Sequence, residues 1–308
     1  LADSITVLRD GRTIATLDRK ETNDDQVVSL MVGRELTERY PRVEHRPSDT
    51  VLEVRNYNVW HPEKRNQRVI KDVSFRVRKG EILGIAGLMG AGRTELVSSL
   101  FGAYGGKATG EIFVEGNPVR IRSVSDAIRA GLALVSEDRK RQGLVMGMDV
   151  KTNTTMATLA KVSKFGVIND NEEIRWGLKY VQDLKTKTAS LETPVGTLSG
   201  GNQQKLVLSR WLAYRGVRVL LLDEPTQGID VGARADIYRT LRSSEVLGGR
   251  TVVFTTSDPD EVALLADRVF VLVRGRIVAE LPAAPLDRNR LLKLAHLGTA
   301  LTEGVSRA

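Results

Sequence analysis

The stretch from residue 82 to residue 94 restricts the fold of this chain more than any other. Ile82-Leu83-Gly84-Ile85-Ala86 is an apolar run with none of the polar alternation of a strand that has one wet face, so it reads as a strand buried on both sides. Behind it comes Gly87-Leu88-Met89-Gly90-Ala91-Gly92-Arg93-Thr94, a glycine-rich turn opening into a helix near Arg93. Glycine, four residues, glycine, a basic residue and a hydroxyl is the spacing of a phosphate-binding loop. The glycines let successive backbone N–H groups curl around phosphate oxygens, the helix start adds the positive end of its dipole, and the Thr94 hydroxyl is available to Mg2+. One residue departs from the pattern: position 93 carries arginine where lysine is usual. A planar guanidinium does not reproduce the contacts of a compact ammonium. The expectation is a loop that binds nucleotide and turns it over poorly.

A strand buried on both faces needs neighbours of its own kind. Apolar, β-rich runs at 217–222, 251–255 and 269–273 alternate with helical segments, the βαβ pattern of a sheet covered by helices. Residues 51–54 and 75–77 alternate as strands, whereas 150–212 is mostly helical and interrupts the strand series as a separate subdomain. Val219-Leu220-Leu221-Leu222-Asp223-Glu224 ends an apolar strand on two carboxylates, at the edge of an α/β sheet where ligands bind. There Asp223 can hold Mg2+ or its water, and Glu224 can polarise an attacking water as a general base.

The chain also repeats itself. Leu1-Ala2-Asp3 through Gly11-Arg12 and Ala15 recur as Leu265-Ala266-Asp267 through Gly275-Arg276 and Ala279, with more than half of the aligned positions identical. Each copy reads as strand, glycine turn, strand and then a charged helix, at 24–32 and 286–294. Residues 1–40 are therefore expected to be the tail of a preceding homologous domain. Residues 41–49, polar and carrying Pro41 and Pro47, read as a linker; 50–298 form one complete domain and 299–308 a tail.

Leu198-Ser199-Gly200-Gly201-Asn202-Gln203-Gln204-Lys205 heads a helix whose Leu208, Trp211 and Leu212 can face a core, and Ser199 with the glycine amides offers a second helix-start anion site. The octet resembles the signature sequence of ATP-binding-cassette proteins. Three further segments narrow the resemblance: 87–95, Ser136-Glu137-Asp138-Arg139-Lys140-Arg141-Gln142-Gly143-Leu144, and Asp223-Glu224-Pro225-Thr226-Gln227-Gly228-Ile229-Asp230-Val231-Gly232-Ala233. Together they resemble the second cassette of bacterial monosaccharide importers of the ribose, galactose and xylose type. Leu184-Lys185-Thr186-Lys187-Thr188 is most similar to the xylose-type ATPase.

That resemblance implies an α/β fold, a P-loop NTPase of ABC type. Its mixed sheet core is flanked by helices, with an antiparallel β subdomain and an inserted α-helical subdomain at about 150–212. It implies ATP and Mg2+ as cofactors. Nucleotide contacts would come from Gly87, Gly90, Ala91, Gly92, Arg93, Thr94, Glu95 and Trp60, with His61 the alternative aromatic for adenine. Ser199, Gly200, Gly201, Gln203 and Asp230 would serve a site shared across a domain pair. The metal would meet Thr94, Asp223 and Glu137. Glu224 would be the catalytic base, with Ser257 at the position of a γ-phosphate histidine. Two residues depart from the family pattern: Glu137 stands where a glutamine is usual, and Ser257 has no titrating ring. The cassette's own loop site is thus expected to be degenerate while its signature completes the site of its partner. The implied partners are the first cassette of a tandem chain, an integral membrane sugar permease and, indirectly, a periplasmic sugar-binding protein. No nucleic acid is implied. The implied place is the cytoplasmic face of the bacterial inner membrane.

Composition removes other classes. Zero cysteines exclude disulfides and thiolate metal sites, and His45, His61 and His296 are too scattered to form a metal cluster. The net charge of +8 is spread along the chain, as on a solvated basic surface. No run approaches the ~20 apolar residues of a membrane-spanning helix. Two rival readings are a soluble tandem cassette acting on ribosomes or DNA, and a non-catalytic docking and signature module. The short linker and degenerate positions oppose the first, and Glu224 opposes the second.

Overall fold

The computed structural model describes residues 2–9, 11–23, 26–27, 30, 49–64, 66–282 and 286–303. In chain order the strands are β1 (Ser4–Arg9), β2 (Arg12–Asp18), β3 (Thr50–Trp60), β4 (Arg68–Arg78), β5 (Ile82–Ala86), β6 (Ala108–Val114) and β7 (Asn117–Val119). Then follow β8 (Leu132–Val135), β9 (Ser163–Lys164), β10 (Val167–Ile168), β11 (Val219–Asp223), β12 (Thr251–Thr256), β13 (Arg268–Val273) and β14 (Arg276–Pro282).

Six strands form the central sheet in the order β14-β13-β5-β12-β11-β8. The pairs β13·β5, β5·β12, β12·β11 and β11·β8 are parallel, and β14 closes the edge antiparallel to β13. Every residue of β5, β11 and β12 is buried, which is why those segments show no polar alternation. Side chains alternate across the sheet into two cores. Leu220, Leu222, Val252 and Phe254 enter one, which also takes Leu206, Leu208 and Leu212 from the helix Gly200–Ala213. Val219, Leu221 and Val253 enter the other, shared with Leu52, Val54, Ile70 and Phe75 of an antiparallel sheet ordered β4-β3-β6-β7. The expected mixed core, antiparallel subdomain and helical subdomain are all present.

The helical subdomain holds Val150–Thr155, Asp170–Asp183 and Gly200–Ala213, started by Asp149, Asn169 and Ser199. Asp149 and Asn169 accept hydrogen bonds from backbone N–H groups of their first turns, which removes orphan donors. The β9·β10 pair within it, two residues per strand, was not expected from the sequence. Arg210 ties the first and last of these helices by donating to the backbone oxygen and Oδ1 of Asn153 at 2.9 and 3.1 Å.

The internal repeat has the same geometry twice. In β1·β2 the register slips between Val7 and Leu8, and in β13·β14 between Val271 and Leu272, the aligned positions. Both turns use a glycine at positive φ, Gly11 at 75° and Gly275 at 78°. The helix following β14 spans Arg288–Glu303. Of the helix expected at 24–32 only residues 26, 27 and 30 are described, all helical, and of the expected linker at 41–49 only residue 49 is described. Among the described residues no helix is long and apolar enough to cross a membrane.

Candidate functional site

Parallel pairing of β5, β8, β11 and β12 brings their carboxyl ends to one edge of the sheet. Residues 87–94 leave β5 there, Glu137 follows β8, Asp223-Glu224 close β11, and Ser257 follows β12. Residues far apart in sequence therefore meet because of strand order.

Close backbone approach shapes the loop. A Cβ on Gly87 would stand 2.5 Å from the Leu272 carbonyl oxygen, so only glycine lets the loop lie against β13. Gly92 starts the helix Arg93–Leu100 at φ 104°, and Gly90, at φ 78°, has nothing within 4 Å of its missing Cβ. Ala91 is buried; its carbonyl accepts from Gly275 N at 2.7 Å, while the Gly275 carbonyl accepts from Lys71 N at 2.8 Å. Glu95 sits half-buried in the first helical turn, where its charge suits the helix dipole.

Asp223 is 1% exposed and accepts from the Thr255 hydroxyl at 2.6 Å. Burial pushes its carboxyl above the usual carboxylate range; hydrogen bonds from Thr255 and Thr94 oppose the rise, and the charges of Glu137 and Glu224 add to it. Glu137 itself is exposed. Glu224 holds a positive φ of 46° and places Oε1 2.8 Å from Nη1 of Arg93, each side chain only 10% exposed. The contact has ion-pair distance but not hydrogen-bond direction, so the buried Nη1 has no acceptor. Oε2 of Glu224 accepts from the Thr256 hydroxyl at 3.5 Å.

A second cluster surrounds the signature. Ser199 is exposed at the start of its helix, with its hydroxyl accepting from Asn202 Nδ2 at 2.9 Å rather than capping the helix. Gly200 leaves room for Arg139 Nη2, 2.8 Å from the missing Cβ, and Gly201 for Ala233, whose Cβ would be 2.2 Å away. Gln203 is buried, donating to the carbonyls of Val195 and Leu198 and accepting from Arg139. Arg139 also donates to the Gln227 and Gly228 carbonyls at 3.1 and 3.4 Å, joining the segment after β8 to the one after β11. Asp230 caps the helix Val231–Arg242 by accepting from Ala233 N at 2.9 Å.

Trp60 is half-buried at the end of β3, opposite Arg68, with Lys107 Nζ 5.5 Å from its ring centroid. The adjacent Val69 carbonyl approaches Gly92, so Trp60 stands on the strand end next to the loop. His61 is used in a turn, its Nδ1 accepting from Glu63 N and Lys64 N. Ser257 is exposed, and the neighbouring Asp258 pairs with Arg234 at 3.0 Å.

Sequence reasoning missed the hydroxyl network beneath the acids. Glu261, 1% exposed, accepts from Thr226 at 2.8 Å and also binds the Thr256 hydroxyl. Burial, with the Glu224 and Asp258 charges, pushes its carboxyl up to about 7 against those hydrogen bonds. Threonines gain this role only through strand adjacency, which local sequence does not display. Arg139, within residues 136–144, likewise gains its partners Gln203, Gln227 and Gly228 only through the fold.

The loop's chemistry fits a nucleotide phosphate tail. It offers an open positive-φ glycine, a helix start and a buried guanidinium nitrogen lacking an acceptor. Thr94 and Asp223 supply the oxygen ligands suited to Mg2+.

Known proteins share both sequence and fold. The xylose import ATP-binding protein XylG of Thermoanaerobacter pseudethanolicus is 48% identical over 298 residues, covering 97% of this chain and 59% of that protein. The L-arabinose transport ATP-binding protein AraG of Geobacillus stearothermophilus is 43% identical over 307 residues, covering 99% and 59%. The chain thus spans about three fifths of the length of these curated relatives. Among solved structures, a nucleotide-free ATP-binding cassette from an ABC transporter superposes with TM-score 0.66 at 20% identity over 79% of this chain and 95% of that one. The structure of cbiO1 from Clostridium perfringens gives TM-score 0.64 at 21% identity, covering 83% and 100%. A family model described as ABC transporter matches residues 70–227, about half of the chain and the span holding the loop, Glu137, the signature and Asp223-Glu224, and the chain belongs to that family.

Proposed function

We propose that this chain is the ATP-binding portion of a sugar importer, an ATPase cassette coupling ATP binding and hydrolysis to uptake of a simple sugar such as xylose or ribose. Residues 1–40 belong to a preceding cassette, 41–49 link it to the cassette at 50–298, and 299–308 form the tail. The assembly works at the cytoplasmic face of the inner membrane with a sugar permease and, through it, a periplasmic binding protein; nucleic acid is not a partner. The names of the similar proteins and the repeated hairpin support this reading.

One observation carries the chemistry: the hydroxyl of Thr94 meets a buried Asp223 at the carboxyl edge of the sheet, directly beside the glycine loop. Loop amides 87–92 and Arg93 hold phosphate oxygens, and Thr94 and Asp223 hold the metal with Glu137 nearby. Bound Mg2+ supplies charge neutralisation on the phosphates and favours the ionised form of Asp223. Glu224 orients the attacking water, with Ser257 on the adjoining strand end. Trp60 stacks on adenine. Ser199, Gly200, Gly201, Gln203 and Asp230 face a partner cassette and complete its site.

A second reading, a cassette that docks and supplies its signature without turnover of its own, is favoured by the Arg93–Glu224 pair, which occupies the general base. Calorimetric titration with Mg·ATP tests the main proposal. The chain binds it, and Asp223→Asn weakens the Mg2+-dependent part while leaving Mg2+-free binding in place. A chain that does not bind nucleotide overturns the proposal, and binding without turnover in the assembled transporter selects the second reading.

A further inference from the structure

We infer that Arg93 and Glu224 form a latch that seated phosphate must open, so that loop occupancy and release of the Glu224 carboxylate are one coupled event. This rests on the nucleotide site proposed above and adds its regulation. Arg93 is the first residue of the helix behind the loop, and its Nη1 lies 2.8 Å from Oε1 of Glu224 at the end of β11. Both side chains are 10% exposed, so neither charge exchanges its partner for bulk water without moving. Glu224 is held in addition by its backbone N–H, which donates to the Thr255 carbonyl at 3.1 Å, and by the Thr256 hydroxyl on Oε2. Its φ of 46° lies in the left-handed region, unfavourable for a glutamate and stored here by surrounding contacts.

Two features make the pair a latch rather than a fixed strut. Nη1 is buried without a hydrogen-bond acceptor although it touches the carboxylate, so the pair leaves donor capacity unused. A phosphate tail carries more charge than one carboxylate and matches a guanidinium fork in two directions, so it competes for the same group. While the pair is closed, Arg93 is neutralised as an anion receptor and Glu224 is masked as a base. Arg93 thus acts through Glu224 as a positioning residue. Coupling of this kind is reciprocal: seated phosphate weakens the pair by the same factor by which the closed pair weakens phosphate binding.

The test measures ADP affinity without Mg2+, which involves no hydrolysis, for the 308-residue chain and its variants. Glu224→Gln in the native background is expected to tighten ADP about tenfold, or ~1.4 kcal/mol. In an Arg93→Ala or Arg93→Gln background the same change is expected to yield less than about twofold, the residue left by phosphate–carboxylate repulsion alone. Arg93→Lys, which keeps the charge, retains part of the gain. Thermal melts show which backgrounds remain folded, and two neutral substitutions at 93 guard against the loss of one. Equal gains with and without Arg93, or no gain in the native background, overturn the latch while leaving nucleotide binding intact. Absence of ADP binding by the native chain overturns the nucleotide site, and the latch with it.

Discussion

The phosphate-loop cluster and the signature cluster are both built on helix starts, yet they spend their polar groups in opposite ways. Around the loop, Arg93, Asp223 and Glu261 are buried and engaged with Glu224, Thr255 and Thr226. Around the signature, Ser199 and Asp230 are exposed, and the buried amide side chain of Gln203 fixes the backbone behind them. The first cluster turns its charged groups on one another, with Arg93 Nη1 left without an acceptor; the second leaves the side chains of Ser199 and Asp230 facing outward. A buried cluster with one donor unused suits a site that takes a ligand inward, and outward presentation suits one that serves a neighbour.

The largest test of that contrast is turnover in the tandem protein proposed above. Ser199→Arg is expected to cut ATP hydrolysis by about a hundredfold, the scale of losing preorganised donors. Glu224→Gln is expected to cost about threefold, because the loop site it serves, with arginine at position 93, is expected to contribute little of the turnover. Equal losses in a steady-state ATPase assay would break the contrast.

Next comes packing. Gly201→Ala drives a methyl to 2.2 Å from Ala233 Cβ and is expected to destabilise by about 2 kcal/mol. Gly90→Ala meets no atom within 4 Å and pays only for its φ of 78°, about 1 kcal/mol. Urea unfolding of the two variants measures the difference, and the reverse order would mean that the loop, not the signature, is the tightly packed element.

The smallest effect is a pH slope. Glu261 has its folded pKa raised from 4.5 to about 7, so the native state binds the extra proton between those values. Stability should therefore fall as pH rises from 4.5 to about 7, with a slope of at most about 1.4 kcal/mol per pH unit, and level off above. Glu261→Gln should flatten that slope. An unchanged slope would place the titrating group elsewhere and weaken the picture of a cluster whose acids are buried and turned inward.

The buried strands and the loop were legible because their signals are local: apolar runs without alternation, glycines at fixed spacing and carboxylates closing a strand. Asp223 and Thr94 could be paired in advance because the parallel sheet gathers strand ends on one side. The Arg93–Glu224 ion pair could not, although the arginine itself was conspicuous, since local sequence gives no distance between a helix start after β5 and the end of β11. Glu261 and its threonines escaped for the same reason: a buried acid within Pro259–Leu265 looks like an ordinary helix-start carboxylate until neighbouring strands surround it. The β9·β10 pair was too short to leave any periodic trace.

The turn at Gly275 fastens the phosphate loop and β4 together through a single residue. Its N–H grips Ala91, its carbonyl is gripped by Lys71, and its α-carbon leaves no space for a side chain against the Val69 oxygen. It works like a rivet through overlapping plates. A tug on the last strands would shift the cradle at its root, so strain in the β13·β14 hairpin has a mechanical route into the phosphate loop through Ala91.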